Sequence, residues 1–107
     1  YKLVVARLDG LSGKDMRSAW DGIRDAANGE PVACVIASAT PDGKVALLAG
    51  ATDAAVASGF AAGNVVKAIA GMVGGRGGGR PNMAQAGGSD VSGIDAALEA
   101  AKKELGL

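Results

Sequence analysis

The chain of 107 residues has no histidine, one cysteine, three prolines and only three aromatic residues, Tyr1, Trp20 and Phe60. Each shortage removes a class of chemistry. Without histidine, both the commonest general base and the commonest zinc ligand are missing. The lone Cys34 excludes an internal disulfide and any CxxC motif, and its apolar surroundings in sequence read as those of a buried, inert thiol. Eleven Lys and Arg balance eleven Asp and Glu, so no global field attracts a polyanion and any nucleic-acid contact must come from a local patch. No apolar run approaches the roughly 20 residues that span a bilayer, and no signal-peptide pattern opens the chain. A soluble, cytoplasmic protein without a membrane partner is expected. The apolar residues, 49% of the total, are mostly alanine and valine, which predicts a finely divided core with closely approaching elements.

The length suits one domain that buries about two-thirds of its unfolded surface. The chain reads as a strand from Tyr1-Lys2-Leu3-Val4-Val5-Ala6 onward, without an initiator methionine or leader. The expectation is therefore a single globular domain, residues 1–107, cut from a longer polypeptide.

What the chain has in excess is glycine, 18 residues, and seven of them fall among the fifteen from Gly74 to Gly88. This stretch reads as a loop whose backbone can take positive φ and approach another molecule closely. Arg76 and Arg80 stand within the glycines, and Asn82 and Gln85 follow. Backbone amides, bidentate cations and uncharged donors together suit phosphates and nucleotide edges. A flexible, solvated loop whose arginines serve solubility is the competing reading.

The remaining pattern is that of a small α/β protein. Residues 2–8 read as a strand ended by Asp9-Gly10. Ser12 and Asp15 form a variant capping box, with Gly29 as the stop of a helix whose Met16, Ala19, Trp20, Ile23 and Ala27 face the core. Arg17, Asp21, Arg24 and Asp25 fall on its solvated side. Val32 to Ala39 reads as a central strand covered on both faces. Thr40-Pro41-Asp42-Gly43-Lys44 turns it into a second strand, Val45 to Ala51. Thr52-Asp53 suggests a cap. Ala54 to Ala62 is either a short helix or an irregular loop broken at Gly59. A helix from Asn64 to Val73 delivers the chain to Gly74 as its left-handed stop. Lys67 on that helix either adds charge near the loop or is an ordinary surface lysine. Met83 to Ala86 suggests a short strand. Ser92 with Asp95 repeats the capping pattern before a final helix through Ile94, Ala97, Leu98, Ala101 and Leu105. The fold class expected is a single-domain α/β sandwich, a mixed sheet flanked by helices.

Familiar catalytic signatures fail. Gly74, Gly79 and Arg80 imitate G-x-x-x-x-G-K-[ST], but arginine replaces lysine, Pro81 replaces the magnesium-binding hydroxyl, and a helix precedes the glycines. In the frame of Gly75 and Gly77, the dinucleotide fingerprint needs a glycine where Arg80 stands. Turns and caps explain Asp9, Asp42, Asp53 and Asp90. No catalytic residue and no metal ligand is assigned, and the absences favour binding.

The phrase GGRGGGRPNMAQAGG resembles the signature of the DHH-associated domain, in the C-Ala form found at the C-terminus of bacterial alanyl-tRNA synthetases. VACVIASATPDGKVALLAGAT resembles that family's hairpin and GNVVKAIAGMVGG the helix leading into its loop. In related DHH phosphoesterases a histidine follows the glycines, and here Arg80 takes its place, which favours the synthetase branch. The resemblance implies binding of alanine-specific tRNA at its elbow, with Lys67, Gly75, Arg76, Gly77, Gly78, Gly79, Arg80, Asn82 and Gln85 as contacts. It also implies that ATP, magnesium and zinc belong to the remaining domains of a parent enzyme, and that this part holds no cofactor. The alternatives are the substrate-binding domain of a DHH-type phosphoesterase and a structural module for self-association.

Overall fold

The computed structural model describes residues 1–105. Strand β1 (Lys2–Arg7) lies parallel to β2 (Val32–Ala39), and helix α1 (Gly13–Ala26) makes the crossover between them. The Ser12 hydroxyl accepts the Asp15 amide at 3.3 Å, which fixes where α1 begins. The helix ends at Ala26, and positive φ at Asn28 and Gly29 redirects the chain. Strand β3 (Val45–Ala51) returns antiparallel to β2 through a turn in which Gly43 has φ of +81°. The chain then leaves the sheet for α2 (Asp53–Ala57), capped by Thr52, and for α3 (Ala62–Ile69). A 3-10 turn, Ala70–Val73, extends α3 to the left-handed Gly74. Strands β4 (Arg76–Arg80) and β5 (Met83–Gly88) form a hairpin, and α4 (Ile94–Glu104) closes the fold. The mixed sheet has the order β1-β2-β3-β5-β4.

Helices divide between the two faces. On one, α1 sets Met16 and Trp20 against Cys34, Ile36 and Leu48. On the other, α2, α3 and α4 cover Val35, Leu47 and Ala84. The predicted central strand is buried along nearly its whole length. Trp20 seats directly on Gly50, where a Cβ would come 2.7 Å from the indole. Ser38, buried under the loop before α1, accepts the Leu11 amide at 2.9 Å and donates to the Leu11 carbonyl at 2.8 Å. It thereby holds the start of α1 to the end of β2.

Two sequence expectations fail. The glycine stretch is not a loop, because Arg76–Arg80 pairs antiparallel with β5 from Arg76↔Gly87 to Arg80↔Met83. Glycine is a poor strand former, but ladder pairing and the packing of α3 override that preference here. Several of these glycines are needed by the hairpin itself. A Cβ on Gly75 would run into the Gly87 carbonyl, one on Gly77 into the Ala86 Cβ, and one on Gly79 would lie 2.7 Å from the Met83 carbonyl oxygen.

The final helix is also capped differently. Ser92 does not cap it. Asp90 accepts the Ser92 amide at 3.1 Å and its hydroxyl as well, forming a 3-10 turn over Val91–Gly93. Asp95 instead accepts a 3.1 Å hydrogen bond from Arg7, tying α4 to β1. With its hydroxyl donated to Asp90, Ser92 accepts no amide of α4, and no side chain caps that helix.

Candidate nucleic-acid interface

Alternation along β4 separates its residues by face. The register sets Arg76, Gly78 and Arg80 opposite Gly87, Gln85 and Met83, on the side of the sheet that carries α1. Their neighbours Gly77 and Gly79 pair with Ala86 and Ala84, on the side of α3. The apolar face of α1 packs over β1, β2 and β3, and Arg76, Gly78, Arg80 and Gly87 are left exposed. The two guanidinium-bearing positions lie about 13 Å apart along the strand.

Gln85 joins this bare surface to α1, its side-chain amide donating to the Gly13 carbonyl at 3.1 Å. The docking brings Lys14 and Arg17 alongside Arg76, around a groove of about 560 Å³ with Gln85 and Gly87 in its lining. Lys67, Gly75, Arg76 and Gly77 border a separate depression of about 340 Å³. Arg76 belongs to both. Arg80 and Asn82 line neither and stand at the turn end of the hairpin. Gly78 lies bare on the open face, where an added Cβ would meet nothing within 4 Å. The contact residues expected from sequence are thus divided between the two sides of an edge strand, with Gln85 partly occupied in holding α1.

The strand also changes what the backbone can offer. Amides on the β5 side of β4 are engaged in the ladder, and only those on its outer edge lack a neighbouring strand. Side chains therefore carry more of the site than a wrapped glycine loop would require.

Lys14 and Arg17 were not identified from sequence as binding residues. Their three-residue spacing on a helix is visible, but Arg17 sits in a run of mixed charges that reads as a solvated face. Nothing local reveals that the first turn of α1 meets a strand more than sixty residues later. Among the described residues, the ion pairs involve Arg7, Arg24 and Lys102. Lys14, Arg17, Lys67, Arg76 and Arg80 take part in none of these, and their charge is available to an anion.

Other polar groups are already occupied. Burial pushes the Cys34 thiol up to about 12, which keeps it protonated and unreactive. The Thr40 hydroxyl holds the Asp42 carboxyl below its ordinary range. Among the described residues no cluster of three or more His, Cys, Asp or Glu could hold a metal ion. No helix among them is long and apolar enough to cross a membrane.

The DHHA1 domain matches residues 1–107. The alanine-tRNA ligase of Corynebacterium efficiens is 48% identical over 107 residues, covering 97% of this chain and 12% of that protein. The alanine-tRNA ligase of Prochlorococcus marinus (strain MIT 9303) is 45% identical over 108 residues, with 98% and 12% covered. The chain spans about an eighth of the length of these curated relatives. The crystal structure of the C-Ala domain from Aquifex aeolicus alanyl-tRNA synthetase superposes with a TM-score of 0.78 at 23% identity, covering 94% of this chain and 87% of that one. The fold agrees with the α/β arrangement expected from sequence: a mixed five-stranded sheet with helices on both faces.

Proposed function

The chain belongs to the DHHA1 domain family, and from that membership we propose that it is the tRNA-binding C-terminal domain of an alanine-tRNA ligase, a cytoplasmic enzyme. Residues 1–107 form one globular domain of a longer chain, and the partners are alanine-specific tRNA, held at its elbow, and the remaining domains of the parent. The domain helps present the tRNA to the aminoacylation and editing centres. Those centres, with their ATP, magnesium and zinc, lie elsewhere in the parent, and this domain takes no cofactor.

The observation that carries the reading is the bare sheet face bordered by Lys14, Arg17, Arg76 and Arg80, cations without carboxylate partners among the described residues. These side chains contact the sugar-phosphate backbone and fix the domain's position on the RNA, while Gly78 lets the RNA approach the strand closely. Asn82 and Gln85 supply uncharged donors, and Lys67 adds charge beyond the edge strand. With about four phosphates neutralised, log affinity falls against log salt with a slope of roughly −3.

Fluorescence anisotropy with alanine tRNA, and with a minihelix lacking the elbow, tests the proposal. The whole tRNA binds more tightly. Replacing Arg76 and Arg80 together by alanine weakens it on the order of tenfold and flattens the salt slope, with the melting temperature unchanged. Equal binding of the two RNAs would remove the elbow from the reading, and unchanged affinity in the double variant would remove the face. The open edge of β4 supports a second reading, self-association. A tight dimer in sedimentation equilibrium, indifferent to tRNA, would put that reading first.

A further inference from the structure

We propose that the cationic groove continues into an apolar trough and that together they seat one unstacked nucleotide, its phosphate among Lys14, Arg17 and Arg76 and its base over Pro41 and Ala46. The inference builds on the RNA-binding reading and specifies which part of the RNA is gripped.

A second cavity of about 450 Å³ opens beside the groove, with Pro41, Lys44, Val45 and Ala46 in its lining. It shares Gly13, Ala86 and Gly87 with the first. Strand register explains the continuity. Ala46 pairs with Gly87 and Gly87 with Arg76, so a single row across β3, β5 and β4 runs from an apolar position through a bare one to a guanidinium.

Gly87 is the seam, and the fold does not require glycine there. A Cβ at this position would meet only the Val45 carbonyl oxygen, at an ordinary 3.8 Å, and the residue has no positive φ. The contrast is with Gly75 and Gly77, where a Cβ would collide with β5. The missing side chain at Gly87 leaves the two cavities open to each other, and a larger residue would wall them apart.

The occupant follows from the two chemistries. One end offers cations that have no ion-pair partner among the described residues, which suit a phosphate. The other offers apolar surface, with Asp42 and Lys44 at its rim to accept from and donate to the edge of a planar ring. A base stacked within a duplex cannot enter such a trough. A loop or bulge nucleotide can, because its unstacking cost is already met by the RNA fold.

The test is a chemical-shift titration of the 107-residue chain with ribonucleoside 5′-monophosphates, inorganic phosphate and a blunt RNA duplex. Mononucleotides are expected to shift amides in both halves, near Arg17 and Arg76 and from Lys44 to Ala46, whereas phosphate and the duplex shift only the cationic half. Gly87→Leu is expected to weaken mononucleotide binding at least tenfold and to spare the phosphate response, and Gly87→Ala not to lower the melting temperature. Mononucleotide shifts confined to the cationic half would overturn the inference, as would a folded Gly87→Leu variant that binds mononucleotides normally. The wild-type titration decides the matter even if that variant is unstable. Should tRNA binding still depend on Arg76 and Arg80 in those cases, the trough alone fails and the RNA-binding reading stands.

Discussion

At the scale of single residues, neighbouring glycines on β4 have opposite reasons for being glycine. Gly77 is sterically closed and Gly78 is open. Alanine at Gly77 forces the hairpin apart and is expected to cost about 1–3 kcal/mol, the range for overpacking. Alanine at Gly78 removes backbone freedom from the unfolded chain without a clash, and a gain of about 0.5 kcal/mol is expected. Denaturant melts of the two variants should move in opposite directions, while tRNA affinity falls in the Gly78 variant that is the more stable. Asp9 supplies a second residue-scale prediction. Its carboxyl is held below its ordinary range by hydrogen bonds from Arg7 at 2.8 Å and from the Ala39 amide at 3.1 Å. A depressed folded-state pKa means that the contribution to stability is present above the unfolded value of about 3.9 and is lost as pH falls through the folded one. Asp9→Asn should therefore narrow the difference in melting temperature between pH 7 and pH 3.

At the scale of elements, what was legible in sequence is what side-chain periodicity encodes. Helix α1 announces itself through Ser12, Met16 and Trp20, and β2 through the apolar run Val32 to Ala37, which lies between Pro31 and Pro41. Strand β4 was illegible because a run of glycines between two arginines has no alternation to read. Its state is decided by partners, β5 on one side and α3 on one face. The α4 cap was misread because two capping patterns overlap at Asp90, Ser92 and Asp95, and the local turn prevails. The site was half legible for a related reason. Arg76 and Gln85 stand in the phrase that drew attention, but which face they share with Lys14 and Arg17 depends on topology. The fit of α3 to β4 can be tested. A Cβ on Gly63 would lie 2.5 Å from the Gly79 carbonyl oxygen, backbone that cannot yield cheaply. Gly63→Ala should lift α3 from the edge strand and lower stability by about 1–3 kcal/mol. Hydrogen exchange should show lost protection concentrated in β4 and α3, with β1 and β2 little affected.

At the scale of the whole molecule, zero net charge and polyanion binding are compatible only if charge is segregated by position. The layers permit this. Lys14 and Arg17 project from α1 on one side of the sheet, and α4 with Lys102, Lys103 and Glu104 covers the other. The Debye length is about 8 Å at physiological ionic strength. Charges on α4, across the sheet from α1, are therefore largely screened from an RNA on the α1 face. Lys14→Glu and Lys103→Glu change the net charge by the same amount and differ only in where the change falls. Lys14→Glu is expected to weaken tRNA binding at least tenfold and to reduce the salt slope by about 1. Lys103→Glu is expected to change affinity by less than about twofold at 0.15 M salt. If both variants lost affinity equally, net charge would govern binding and the groove beside α1 would lose its role. If only Lys103→Glu lost affinity, the interface would have to be moved to the opposite face.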